Sequence, residues 1–317
     1  MRHFIRKVLL FALLQGVVLA ALAATYRPET TGYLAAGLDK RARALRIDGP
    51  RILLVGGSSV AFGFHSPALE AALGRPVINL GGQGSQGLDF RLREALELAR
   101  EGDTVVLSLE YQVLLGEDTA QGLTLWRTLE SDPASLRFTR WGEWKRLLDD
   151  GHLFLRHVLR RSVQRRLKGR WPEGAAPYRR DACNAYGDVV AHYAMDPPGY
   201  GAEPFRLRFT ERDLDRAVRR LQEFRDAARA RGIRVMLFHP SVPGERARPF
   251  VEDLDRVDAR LREALGVPIL NRPEEGFRPP EDFFNSTYHL TGAAGAAQTA
   301  LLAARLKPVI GENTTSP

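Results

Sequence analysis

The chain has 317 residues, 44% of them hydrophobic and 26% charged, with a formal net charge of +8. That suits one large domain, or one domain carrying a sizeable insertion, with ample material for a buried core. Five lysines stand against 41 arginines, which marks a compositional bias, and no nucleic-acid recognition module is legible, so nucleic acid is not an expected partner. The single cysteine, Cys183, excludes an internal disulfide and a structural cysteine-based metal site.

MRHFIRK places Arg2, Arg6 and Lys7 ahead of an apolar run from Val8 to Ala24, interrupted only by Gln15. A cationic start followed by about 17 apolar residues predicts a signal anchor or signal peptide over 1–24, with Ala21-Leu22-Ala23 as a cleavage site. The positive-inside rule keeps the basic end in the cytoplasm. The rest is expected on the periplasmic side of the inner membrane, anchored or cleaved. Residues 25–50 read as a tether with a short helix.

From Arg51 the pattern becomes regular. RILLV (51–55), PVINL (76–80), DTVVLSLEY (103–111), IRVMLFHP (233–240) and VPIL (267–270) read as five strands. Helices are predicted at 66–74, with Ser66 as N-cap, and at 88–102. Further helices are expected at 210–232, where Thr210 and Asp213 resemble a capping box, within 248–266, and at 291–306 behind Thr291. Unbroken Val/Ile/Leu strands alternating with helices predict a parallel sheet covered on both faces. The expected architecture is a three-layer α/β/α fold with a five-stranded, mostly parallel sheet. Its core spans 51–112 and 232–310, and a mostly helical insertion fills 113–231. Ligands of such sheets bind beyond the carboxyl ends of the strands.

Those ends carry Gly56-Gly57-Ser58-Ser59 after the first strand, Gly82-x-Gly84-x-x-Gly87 after the second, Glu110-Tyr111-Gln112 after the third and His239-Pro240 after the fourth. NSTYHLTG, with His289, stands before the last helix. The order resembles the SGNH (GDSL-like) hydrolase superfamily, including its exopolysaccharide O-acetylation branch. The resemblance covers roughly 51–112 and 232–308 and implies a flavodoxin-like SGNH fold. It implies Ser58 as nucleophile and His289 as general base, with an oxyanion hole from Ser58, Gly84 and Gln112, the last in place of the family's Asn. Where the family has Asp three residues before the histidine, this chain has Ser286; Asp282, seven residues upstream, is the nearest carboxylate. Orientation of His289 is therefore expected from Asp282 or from a backbone carbonyl, and His239 is the reserve base.

A serine needs an adjacent base to become nucleophilic, and its oxyanion needs fixed donors, so the set is coherent for acyl transfer. The expected function is an exported serine esterase or O-acyltransferase acting on an acylated envelope glycan or small ester, without cofactor or metal. The alternative is a non-catalytic glycan-binding or scaffold component that meets other envelope-assembly proteins. Less favoured is a nucleotide-binding Rossmann reading, in which the glycines cradle phosphates and Glu110 holds a ribose. Residues 156–170 hold seven Arg/Lys and no acid, while Leu155, Val158, Leu159, Val163 and Leu167 recur at helical spacing. That predicts a helix packed on the core or, more sharply, a surface for anionic lipid or acidic polysaccharide. Trp171, Tyr178, Tyr186, Tyr193 and Tyr200 are candidates to stack on sugar rings or to anchor their loop.

Overall fold

The computed structural model describes residues 1–116, 121–169, 175–199 and 205–311, with only the backbone of 19 and 22–25. Four short strands form the sheet: β1 (Ile52–Val55), β2 (Val77–Asn79), β3 (Thr104–Leu107) and β4 (Arg234–Leu237). They run in the order β2-β1-β3-β4, all parallel, with Leu53 opposite Ile78 and Val105, and Val105 opposite Val235.

The expected fifth strand at 267–270 is not a strand. It touches the sheet at one parallel bridge, Leu237 to Ile269. The Leu237 N–H donates to Pro268 O and the Leu270 N–H to Leu237 O, both at 2.9 Å. Pro268 has no N–H to extend the ladder. A further parallel pair, β5 (Val242–Pro243) and β6 (Phe277–Arg278), lies outside the main sheet.

Alternation along the strands sorts their side chains into two cores. Leu53, Val55, Val105, Leu107, Val235 and Leu237 pack with residues from the helices Leu88–Leu98, Glu211–Arg229 and Val251–Leu265. Ile52, Leu54, Val77, Val106 and Met236 pack with Val60, Phe64 and Leu69 and with Leu302, Leu306 and Ile310 of the last helix, Gly292–Gly311. Each such side chain contributes about 1.5–3 kcal/mol by leaving water. At the amino-terminal end of the sheet, Arg51 and Asp103 form a wholly buried pair at 2.6 Å. Carbonyls of Ala44, Ile47 and Leu98 take the remaining guanidinium protons.

Thr210 caps its helix reciprocally with Asp213, and the Thr291 hydroxyl accepts from the Ala294 N–H at 3.4 Å. Ser66 does not cap. Its hydroxyl donates to Asp188 at 2.5 Å, and its N–H to the same carboxylate at 2.9 Å. Asp188 also accepts from Asn79 at 2.8 Å and from Asn184 at 2.9 Å, so one buried carboxylate fastens the 183–190 loop to the end of β2.

Between β3 and β4 the chain builds helices Gly122–Ser131, Trp141–Asp149 and Gly151–Lys168. The first segment is a helix over Arg2–Thr25, with exposed Phe4, Leu9, Phe11 and Leu13 among its apolar side chains. Among the described residues no helix is long and apolar enough to cross a membrane.

Candidate active site

Ser58 opens the short helix Ser58–Gly63 directly after β1. The turn before it is set by close approach: a Cβ at Gly56 would lie 2.0 Å from Ser108 O, and one at Gly57 would lie 2.2 Å from the Glu110 carboxylate. Glu110, buried at the end of the β3 segment, accepts from the N–H groups of Gly57 at 3.0 Å and Ser59 at 2.8 Å. The Ser58 hydroxyl also points to it, at 3.4 Å. Burial raises the Glu110 carboxyl above its usual range, against the opposing pull of these hydrogen bonds. The carboxylate thus fills the space that any side chain at position 57 would need.

The backbone N–H groups of Ser58 and Gly84 begin their short helices and have no acceptor among the described residues. The Gln112 side chain is exposed and makes no hydrogen bond to this turn.

His289 is buried just before the last helix, stacked on Phe62 at 4.0 Å between ring centroids. Its Nδ1 lies 2.8 Å from Asn285 Oδ1. The Tyr178 hydroxyl meets the same amide, accepting from Nδ2 at 2.9 Å and donating to Oδ1 at 3.2 Å, while Oδ1 also faces the imidazole. Nδ1 therefore carries the proton and Nε2 keeps its lone pair. Desolvation, and secondarily the nearby His192, lower the imidazolium to about 3, so the ring is neutral at ordinary pH. The Asp282 side chain makes no hydrogen bond with His289, and its carbonyl accepts from the Thr291 N–H. Neither Asp282 nor a backbone carbonyl holds Nδ1; Asn285 does.

No hydrogen bond joins Ser58 to His289. His239 is spoken for at both nitrogens, Nε2 facing Asp258 at 2.9 Å and Nδ1 facing the Tyr111 hydroxyl at 3.1 Å. That leaves no lone pair to serve Ser58.

The glycine-rich stretch is closed. A Cβ at Gly82 would lie 2.0 Å from the Arg91 guanidinium, and Lys40 bonds to Gly81 O. Arg91 is itself paired with Glu94 at 2.7 Å. With Glu110 committed to the Ser58 turn, neither cradle nor ribose acid is left for a dinucleotide.

Spacing alone would let Glu29, Glu130 and His157 hold a metal ion. Arg161 already pairs with Glu130 at 2.9 Å and Arg127 with Glu29 at 3.3 Å, so the carboxylates are neutralised by protein cations. This cluster ties the tether to two insertion helices.

Of the loop aromatics, Tyr178 lies at His289 and is 38% exposed, Tyr193 stacks on His65, and Tyr186 bonds Glu70. Trp171 and Tyr200 lie outside the described residues. Sequence reasoning missed Glu110 as the partner of the Ser58 turn and Asn285 as the partner of His289. The available signals were an acid closing an apolar strand and an amide one helical turn's spacing ahead of the histidine.

No family model matches the chain, and no curated protein matches it. Among solved structures it is similar to a Streptococcus pneumonia protein described provisionally as a platelet activating factor. The identity is 12%, over 94% of this chain and 99% of that one, with a TM-score of 0.41. An overlap that small carries no argument about function.

Proposed function

We propose that the chain is a three-layer, SGNH-like serine esterase or O-acyltransferase, tethered outside the cytoplasm by its first helix and acting on an acylated envelope glycan. The observation that carries this reading is the Asn285–His289 pair at 2.8 Å, which leaves Nε2 as a free base beside the helix that Ser58 opens. An amide in this role has precedent in Cys-His-Asn sites.

In the proposed step the Ser58 side chain turns from Glu110 toward His289, and its oxygen attacks the ester carbonyl as Nε2 takes the proton. The N–H groups of Ser58 and Gly84 receive the oxyanion. The alcohol leaves with the proton from His289, and the acyl group stays on Ser58. Water or a sugar hydroxyl then attacks the acyl-enzyme, giving its proton to His289; the ester bond to Ser58 breaks, and the leaving serine oxygen takes that proton back. Tyr178, exposed beside Asn285, is the ring on which a sugar would stack.

A second reading, a non-catalytic glycan-binding or scaffold component, is favoured by one fact: Ser58 is bonded to Glu110 and not to His289. A fluorophosphonate probe separates the two. Covalent labelling of the intact chain that disappears in Ser58→Ala supports the enzyme. Absence of labelling in a chain that still binds acylated glycan supports the scaffold.

A further inference from the structure

Two of the insertion helices carry a row of apolar side chains outward as well as inward. On Gly151–Lys168 the inner face presents Phe154, stacked on Trp126 at 5.1 Å, together with buried Val158 and Arg161. The outer face carries Leu155, Leu159, Val163 and Leu167 at successive intervals of four, with Leu167 80% exposed. Beside that row run exposed Arg156, Arg160, Arg166 and Lys168, and the helix has no acidic residue. The expectation that these leucines and valines pack on the core is thereby corrected for all but Val158. The preceding helix repeats the pattern. Trp141, Trp144 and Leu148 share one outer face with Lys145, while Glu143 and Leu147 turn inward. Trp141 is 83% and Leu148 81% exposed.

Surface helices of a water-soluble domain put apolar residues inward. Two consecutive helices with leucine, valine and tryptophan outward, the longer flanked by cations while Lys145 on the other pairs with exposed Asp149 at 2.7 Å, have the composition of an interfacial surface, where aromatic rings sit at headgroup level. Charge complementarity selects an anionic leaflet, since each nearby Lys or Arg adds about 1 kcal/mol of attraction. The position agrees. The apolar first helix ends at Thr25, and the segment that follows is fastened to Gly151–Lys168 through the Glu29–Arg161 and Glu29–His157 contacts at 3.6 and 3.9 Å.

We infer that the outer faces of Trp141–Asp149 and Gly151–Lys168 rest on the anionic surface of a phospholipid membrane, a second membrane contact beyond the first helix. This holds whatever the chemistry at Ser58, so failure of either test leaves the other standing.

The experiment uses the full chain reconstituted into nanodiscs of phosphatidylcholine and phosphatidylglycerol, with and without brominated acyl chains. Tryptophan emission is the readout. The expected result is quenching by the brominated chains that falls at least about twofold in Trp141→Phe/Trp144→Phe, in which the second exchange also removes the hydrogen bond from Trp144 to Thr139. Quenching should also weaken when phosphatidylglycerol is omitted. Emission indifferent to bromination, or quenching that survives unchanged in the double variant, overturns the inference; so does quenching unaffected by lipid charge. Hydrogen exchange on the unmodified chain gives a variant-free check. Residues 141–168 should gain protection in anionic discs, and equal protection in detergent and discs counts against the surface.

Discussion

Asn285 is neutral where a carboxylate would stabilise a protonated imidazole, so nothing beside Nδ1 offsets the burial and the nearby His192 that depress His289. At about 3, the imidazole is a weak proton acceptor for a serine hydroxyl, because a base works best with a pKa near the working pH. Asn285→Asp places a carboxylate 2.8 Å from Nδ1 without moving the backbone. It should raise the His289 pKa toward the working pH and raise ester turnover by about 10²–10⁴, the span that a well-matched general base typically contributes. The pH–rate profile checks this: the acid limb of the unmodified protein should lie near 3, and that of the variant should move upward. Turnover unchanged in Asn285→Asp would show that His289 is not the base. Glu110→Gln is the matching test on the other partner. The amide can accept from only one of the two N–H groups of Gly57 and Ser59, leaving an N–H facing an NH₂. Urea unfolding should show a loss of about 1–3 kcal/mol. Both partners were hard to read in sequence for one reason. The motif fixes which residue types stand at the strand ends, whereas which side chain meets which depends on loop paths that short motifs do not encode.

The sheet was the legible element. Runs such as Ile52–Val55 and 105–107 are apolar at every position, as is usual in strands covered on both faces, and four of the expected strands pair in parallel. The fifth was misread because apolar character was weighed above Pro268, which stands in the run VPIL and removes one ladder donor. For the helix Gly151–Lys168 the sequence left two readings open, because periodicity reports that apolar residues share a face, not that the face points inward. What sets the frame of the sheet is the Arg51–Asp103 pair, invisible to hydropathy because both residues flank their strands. With both side chains fully buried, Asp103→Ala leaves a guanidinium uncompensated, and chemical denaturation should show a loss of about 3–5 kcal/mol. Replacing both partners together with Met and Leu should cost much less, since the penalty belongs to the unpaired charge. A double variant as unstable as Asp103→Ala would place the cost in packing instead.

At the scale of the whole molecule, buried titratable groups of opposite kinds shape stability against pH. His289 is depressed to about 3 from an ordinary 6.5, with His192 shifted the same way, mainly by burial. In that window the unfolded chain binds more protons, so stability falls as pH drops from 6.5 toward 3. Glu143 runs the other way. Burial raises its carboxyl from 4.5 to about 7, although its side chain accepts the Arg140 N–H at 2.7 Å. Its contribution is complete below 4.5 and is lost as pH rises to 7, and raised Glu110 acts in the same direction. Between 4.5 and 6.5 the two effects oppose each other, so the stability curve should be flat there. It should fall on the acid side, where His289 is joined by Asp258 and Glu130, both held below the usual carboxylate range. Glu143→Gln keeps the acceptor for the Arg140 N–H and removes the titration. Urea midpoints should then show the variant gaining on the unmodified protein between pH 5 and pH 8, by on the order of 2–3 kcal/mol. Asp89 stands close enough to Glu143 to repel its ionised form, and Arg93 and Arg140 stand close enough to favour it, so the gain measures the balance of burial against these charges. A gain of zero would mean that Glu143 reaches solvent through the Trp141–Asp149 helix. Measured again in anionic discs, the gain should grow, because lipid laid over Trp144 and Lys145 removes still more water from the carboxyl behind them.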